Sequence, residues 1–213
     1  MVLKQAEIRG LLAAWKEIMA KNKTMLIDLD SVVGDGDLGL TMSDGFAAAS
    51  KAADEKDEAD VGKLVYFAGK AMSTAVPSTM GTLMASGLMQ IGKAMKGRTE
   101  IDDAGFVDMM EAYQAGVMNL GKAKRGEKTI LDSLIPGAEA LRKAVEEGKG
   151  AKEAAKIAAQ AAADGAEATT TMLAVHGRAA TRGEASRSLK DPGAVVGMLL
   201  YQAAADYLNG LSD

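Results

Sequence analysis

The chain has 213 residues, 48% of them hydrophobic, with a formal net charge of −4. That is enough apolar material for one substantial core, a single domain over 1–213 is expected, and the acidic balance argues against a sequence-independent grip on nucleic acid. Cysteine is absent and His176 is the sole histidine, which excludes disulfides and thiolate metal sites, leaves little for histidine-based zinc or a Ser-His-Asp triad, and fits a cytoplasmic protein.

Alanine, leucine, methionine, lysine and glutamate dominate, aromatics make up 4%, and prolines number three. This is a helix-forming composition with few strand formers. Along the chain, Leu3, Ile8, Leu11, Leu12, Trp15, Ile18 and Met19 form the first helical stripe. The N-terminal residues lack the apolar run of a signal peptide, and no apolar stretch reaches membrane-spanning length.

The segment 28–39 comes next, with Asp30, Asp35 and Asp37 spaced by Gly34, Gly36 and Gly39. Glycine permits turns that bring carboxylates toward one point, and carboxylates so gathered repel one another unless a cation neutralises them. Hard oxygen ligands suit Mg²⁺, which shares its sites with substrate phosphates. The same spacing is also that of an ordinary acidic turn. An EF-hand is excluded because no starting aspartate places a glutamate at the twelfth position. Apolar neighbours from Met25 to Val33 tie the cluster to a packed element.

Leu64, Phe67, Ala68, Ala71 and Met72 form another stripe. After it, Pro77, Ser78 and Thr79 precede a long apolar run, as at a helix N-terminus that either is simply capped or receives an anion. The stretches 87–94 and 116–123 both read Gly-x4-Gly-Lys-Ala. They lack the Ser/Thr of a P-loop and read as helix ends. Helical patterns recur near 104–120, 129–147, 151–175 and 192–211, with breaks at 97–103, 121–128, 148–149 and 177–191. Short connections join antiparallel neighbours, so an all-α bundle or helical barrel follows. The last break carries Arg178, Arg182 and Arg187, residues able to clamp phosphate, and ends at Asp191-Pro192, an N-cap followed by proline at the first helical position. His176 reads as a surface or helix-end residue.

These segments together resemble the L subunit of dihydroxyacetone kinase. LDSVVGDGDLG at 29–39 is similar to the family's LDxxIGDGDHG. GKAKRGEKTILD at 121–132, followed by Pro136, is similar to its RGKAxxGDKTMxDxxxP. Gly177-Arg178-Ala179, Gly183-Glu184 and Asp191-Pro192-Gly193-Ala194 are similar to its KGRAxYxGERxxxxxDPGA. The resemblance implies an eight-helix antiparallel barrel with a nucleotide site at one end, ADP or ATP as cofactor, and two Mg²⁺ ions. It places the metal on Asp30, Asp35 and Asp37 and the nucleotide along Leu38, Gly39, Leu40, Thr41, Thr79, Met80, Gly121, Ile130, Arg178, Asp191, Pro192 and Gly193, with Arg178 as the catalytic residue.

The implied reaction is phosphoryl transfer to dihydroxyacetone held on a K-type partner subunit. Recharging is implied either by ATP exchange or by a phosphohistidine carrier subunit. The chain departs from the pattern at Leu38, where the family has histidine, at PSTMG in 77–81, where it has GG(A/S)SG, and at Ala185, where it has arginine. Another ketose, a sugar derivative or a carrier-bound substrate fits the same motifs. The departures at Leu38 and Met80 also fit a non-catalytic nucleotide- or metal-binding regulatory module.

Overall fold

The computed structural model describes residues 1–212. Its helices are α1 (Gln5–Lys21), α2 (Lys23–Val33), α3 (Leu38–Asp54), α4 (Val61–Ala75), α5 (Thr79–Ala94), α6 (Asp103–Gly121), α7 (Leu131–Glu146), α8 (Ala151–Ala168) and α9 (Pro192–Gly210). Two-residue strands β1 (Leu3–Lys4) and β2 (Glu100–Ile101) pair antiparallel. Val195 and Val196, the most strand-like pair by residue type, lie buried inside α9. The protein is all-α.

Eight of the helices close into a ring. Each of α3 to α8 packs on its successor, α1 packs on α3, and α1 closes the circle against α9. The short helix α2 lies outside this order, mainly against α3. A helix of about 17 residues is roughly 25 Å long, which a connection of three or four residues cannot retrace. Neighbours such as α4–α5 and α7–α8 therefore run antiparallel, and alternate connections fall at opposite ends.

Inside the ring, Trp15 meets Phe46 edge-on at 6.2 Å and Tyr113 at 6.0 Å. The Trp15 indole donates to the Leu200 carbonyl at 3.0 Å, which satisfies its N–H without leaving the core. The glycines of the repeated Gly-x4-Gly-Lys-Ala segments serve packing. A Cβ on Gly92 would lie 2.8 Å from the Gly62 carbonyl oxygen, and one on Gly116 would lie 2.9 Å from the Gly87 Cα. Close approach of α4, α5 and α6 depends on them. The left-handed residue after α6 is Lys122, not Gly121.

Helix starts are fixed by side chains. Asp60, Ser78, Asp102 and Asp191 each accept a hydrogen bond from the backbone N–H three residues on. The helix expected to reach residue 175 ends at Ala168. There the hydroxyls of Thr169, Thr170 and Thr171 donate to carbonyls three residues back, at 2.6, 2.8 and 2.9 Å. Threonine in this way offers the backbone an alternative to the helix, and a short 3₁₀ turn follows.

Candidate functional site

Four connections meet at one end of the ring: 34–37, 76–78, 122–130 and 169–191. They enclose an open cavity of about 950 Å³. Because connections alternate, the helices that begin at this end are α3, α5, α7 and α9. Their first residues Leu38, Thr79, Leu131 and Pro192 all line the cavity. Four helix N-termini thus turn their positive dipole ends on one space and favour an anion there, although many of their first N–H groups are already bonded, that of Leu38 to Asp30, of Gly81 to Ser78, of Leu131 to Thr129 and of Ala194 to Asp191.

The three aspartates stand at the edge of this field. Asp30 projects from the last turn of α2, Asp35 lies in the loop, and Asp37 immediately precedes α3. One oxygen from each lies within 4.8 Å of the others. Gly36 makes the turn at φ 77, a left-handed value that a side chain resists. A Cβ on Gly34 would fall 2.3 Å from the Asp30 carboxylate. The Leu38 N–H points to Asp30 Oδ2 at 3.3 Å. Partial desolvation, then the charges of Asp35 and Asp30, raise the Asp37 carboxyl above its usual range, while Arg178 opposes them. Arg178 Nη2 lies 2.6 Å from Asp35 Oδ2. An all-oxygen donor set carrying three negative charges, with a guanidinium as its one counter-charge, fits a hard divalent cation.

Most residues of the implied site come together. Leu38, Thr79, Met80, Gly121, Ile130, Arg178, Asp191, Pro192 and Gly193 line the cavity beside Asp30, Asp35 and Asp37. Gly39, Leu40 and Thr41 do not. Gly39 is buried against the Lys23 carbonyl, Thr41 is buried in α3, and Leu40 is exposed. Leu38 occupies the position of the family's histidine with its side chain in the hydrophobic core, so it offers the site only its backbone. Arg187 is held by Glu184 and donates to the Thr171 carbonyl at 3.0 Å, which leaves Arg178 as the arginine of this connection that lines the cavity.

Residues with no assigned role in the sequence reading organise the walls. Asp132, 2% exposed, accepts from the backbone N–H groups of Gly126 and Thr129. Lys128, also 2% exposed, directs its ammonium to backbone carbonyls of the 169–191 connection. His176 Nε2 meets Glu127 Oε2 at 2.6 Å, and this contact holds the Glu127 carboxyl below its usual range. Lys128 and Asp132 do fall inside the block matching GDKTMxD, which is the one sequence signal that marks them.

Burial pushes the Asp191 carboxyl up to about 7, against the Ala194 N–H bond that favours its charged form. An acid with a raised folded pKa binds more protons folded than unfolded. Its contribution therefore falls as pH rises from about 4 to about 7. Asp191→Asn keeps a cap oxygen and is expected to flatten that decline. Urea unfolding of both proteins at several pH values reads the difference, and parallel pH profiles would contradict it.

The comparisons agree with this geometry. The family model described as "DAK2 domain" matches residues 32–206. The chain is 33% identical over 88% of its length to the Listeria innocua PEP-dependent dihydroxyacetone kinase 1, ADP-binding subunit DhaL, covering 88% of that protein. It is 29% identical to the Escherichia coli ADP-binding subunit DhaL, over 96% of this chain and 98% of that one. It is also 33% identical to an L-erythrulose kinase of Pectobacterium atrosepticum, over 95% of this chain but 35% of that protein. The dihydroxyacetone kinase of C. freundii superposes with a TM-score of 0.71 at 22% identity, over 94% of this chain and 34% of that one. The chain thus spans about a third of the erythrulose kinases and of the solved structures it matches, and most of the separate subunits. On its family-model match and its fold, this chain belongs to the DAK2-domain family.

Proposed function

We propose that this chain is the nucleotide-binding subunit of a dihydroxyacetone kinase, folded as a single domain. It carries ADP or ATP with two Mg²⁺ ions on Asp30, Asp35 and Asp37 and delivers a phosphoryl group to dihydroxyacetone on a K-type partner. The observation that carries this reading is the convergence of four helix N-termini and three carboxylates on one cavity. A polyphosphate needs the first and its cation needs the second. When bound, Mg²⁺ would neutralise phosphate oxygens and hold them for in-line transfer.

The chain's own residues do the rest. The N–H groups of Thr79 and Met80 at the start of α5 donate to phosphate oxygens, the positive end of α9 adds its field, and Ile130 and Met80 supply apolar wall. Arg178, paired with Asp35 in the present structure, turns its guanidinium to charge that spreads onto the transferring group. The phosphorus–oxygen bond to the nucleotide breaks, the bond to the acceptor hydroxyl forms, and the hydroxyl proton leaves to a base on the partner. His176, the sole histidine, is already engaged by Glu127. Val32, Leu40, Leu120, Leu173 and Val175 are exposed on the elements that frame the cavity, an apolar rim suited to a partner docked over it.

The relatives' names include both dihydroxyacetone and erythrulose kinases, and the choice between such short ketoses falls to the partner chain. A cytoplasmic setting accords with the absence of cysteine. Single-turnover transfer from Mg-ATP to dihydroxyacetone, with a K-type subunit added, is the test. Phosphorylated ketose is expected only with both proteins present; in a separate multiple-turnover assay, retention of ADP would add a phosphohistidine carrier as the recharging partner. Tight nucleotide binding with no transfer would favour a regulatory module instead.

A further inference from the structure

Lys128 is a buried lysine whose ammonium is bonded to backbone carbonyls rather than paired directly with a carboxylate, although the charge of Asp191 is close enough to favour its charged form. Its Nζ donates to the carbonyls of Thr169 at 2.7 Å, Met172 at 3.2 Å, Ser186 at 2.6 Å and Arg187 at 3.1 Å. An ammonium has three donors, so four acceptors share them. Two of these carbonyls come from the end of α8 and its 3₁₀ turn, and two from the end of the 3₁₀ segment Arg178–Ser186. Both are C-terminal ends, where carbonyls carry partial negative charge.

The stretch between these contacts, 173–185, includes Arg178. Its two ends also meet through the Ser186 hydroxyl, which accepts from the Ala174 N–H at 3.1 Å, and through Arg187, which donates to the Thr171 carbonyl at 3.0 Å. Glu127, the preceding residue, adds a second tether: its carbonyl accepts from the Val175 N–H at 3.3 Å and its carboxylate meets His176. Lys128 itself stands in the left-handed region at φ 61, a cost for a residue with a Cβ. Burial of the ammonium is a second cost, and it disfavours the charged form.

We infer that Lys128 is a positioning residue, a covalently attached monovalent cation that folds the 173–185 stretch into a fixed loop and so sets Arg178 over the aspartates. The residue borders the cavity, but its ammonium is turned to the four carbonyls of the 169–191 connection. The inference rests on the proposed function only for what Arg178 does there; the loop itself is independent of it.

The test compares the intact protein with Lys128→Met, which keeps bulk and loses charge, and Lys128→Ala, which leaves room for propylammonium. Trypsin cleavage after Arg178 and Arg182 reports the loop, and thermal unfolding reports the barrel. Both variants are expected to be cut at least about tenfold faster at these arginines while the barrel still unfolds cooperatively. Propylammonium should restore protection to Lys128→Ala and not to Lys128→Met, a rescue that mere loss of packing would not give. Affinity for Mg-ADP should fall and recover in parallel.

Unchanged cleavage in both variants would overturn the inference. So would rescue of neither variant, or loss of the whole barrel, since Lys128 would then support packing or the fold at large. If the intact protein binds no nucleotide, the functional reading fails, while cleavage and rescue still decide the role of Lys128.

Discussion

Asp35→Ala is expected to abolish Mg²⁺-dependent nucleotide binding and to leave the barrel folded. Asp35 is exposed in the loop between α2 and α3 and supports no buried contact, so its removal should change stability by no more than about 0.5 kcal/mol. Its carboxylate is nevertheless one of three oxygens gathered within 4.8 Å. Changes to groups that merely orient a ligand already cost about 10–100-fold in metal affinity, so loss of a ligand should cost more than about a hundredfold. The substitution also releases Arg178 from its ion pair, yet a freed arginine cannot replace a divalent cation between carboxylate and phosphate. Calorimetry and circular dichroism on the same sample check both halves. A folded variant that bound nucleotide normally would remove Asp35 from the ligand set.

Gly39→Ala should act by a different route, through the fold of the loop. A Cβ there would lie 2.1 Å from the Lys23 carbonyl oxygen and 3.0 Å from the Ile27 amide nitrogen. Both are backbone atoms of α2, which no rotamer change can move aside. The helices must part at the hinge that carries the aspartates, at about 2–3 kcal/mol. Denaturant unfolding should show that loss, together with weaker Mg²⁺-dependent binding. Gly210→Ala, where nothing lies within 4 Å of the new Cβ, is the control and should change little. Equal stability of the two variants would mean that α2 and α3 are not in close contact at Gly39.

This role for Gly39 shows where local reading of the chain stops. Glycine beside three aspartates looks like part of the ligand-binding turn, but its necessity comes from a carbonyl on the preceding helix. Helical composition and periodicity were enough for an all-α fold, because alanine, leucine and methionine at helical spacing leave little alternative. Closure of the ring by α1 against α9 joins the two ends of the chain, a contact that no window of sequence contains. The Asp30-Asp35-Asp37 cluster was legible because its charge and glycine content are concentrated in one short segment. Lys128 was not, because its carbonyl partners lie 41 to 59 residues further on. Likewise the end of α8 at Ala168 depends on threonine hydroxyls turning back on the helix, a competition that apolar periodicity does not register.

The cavity acquires its character from the ring. An up-and-down barrel of eight helices starts every second helix at the same end, so the positive ends of α3, α5, α7 and α9 are gathered there by topology alone. The aspartate loop then supplies the opposite sign at one edge. Neither feature by itself points to a metal-bound polyphosphate, and their juxtaposition is what supports the proposed nucleotide site. It also accounts for why Leu38 and Met80 leave the arrangement intact: the field of the helix starts belongs to the backbone, and the side chains at those two positions pack on the core.

Titration of ADP and of ATP into the purified protein by calorimetry, with and without Mg²⁺, tests that central claim most directly. Binding in the presence of Mg²⁺ and none in its absence is the predicted result. Binding that ignores Mg²⁺, or no binding under either condition, would contradict it.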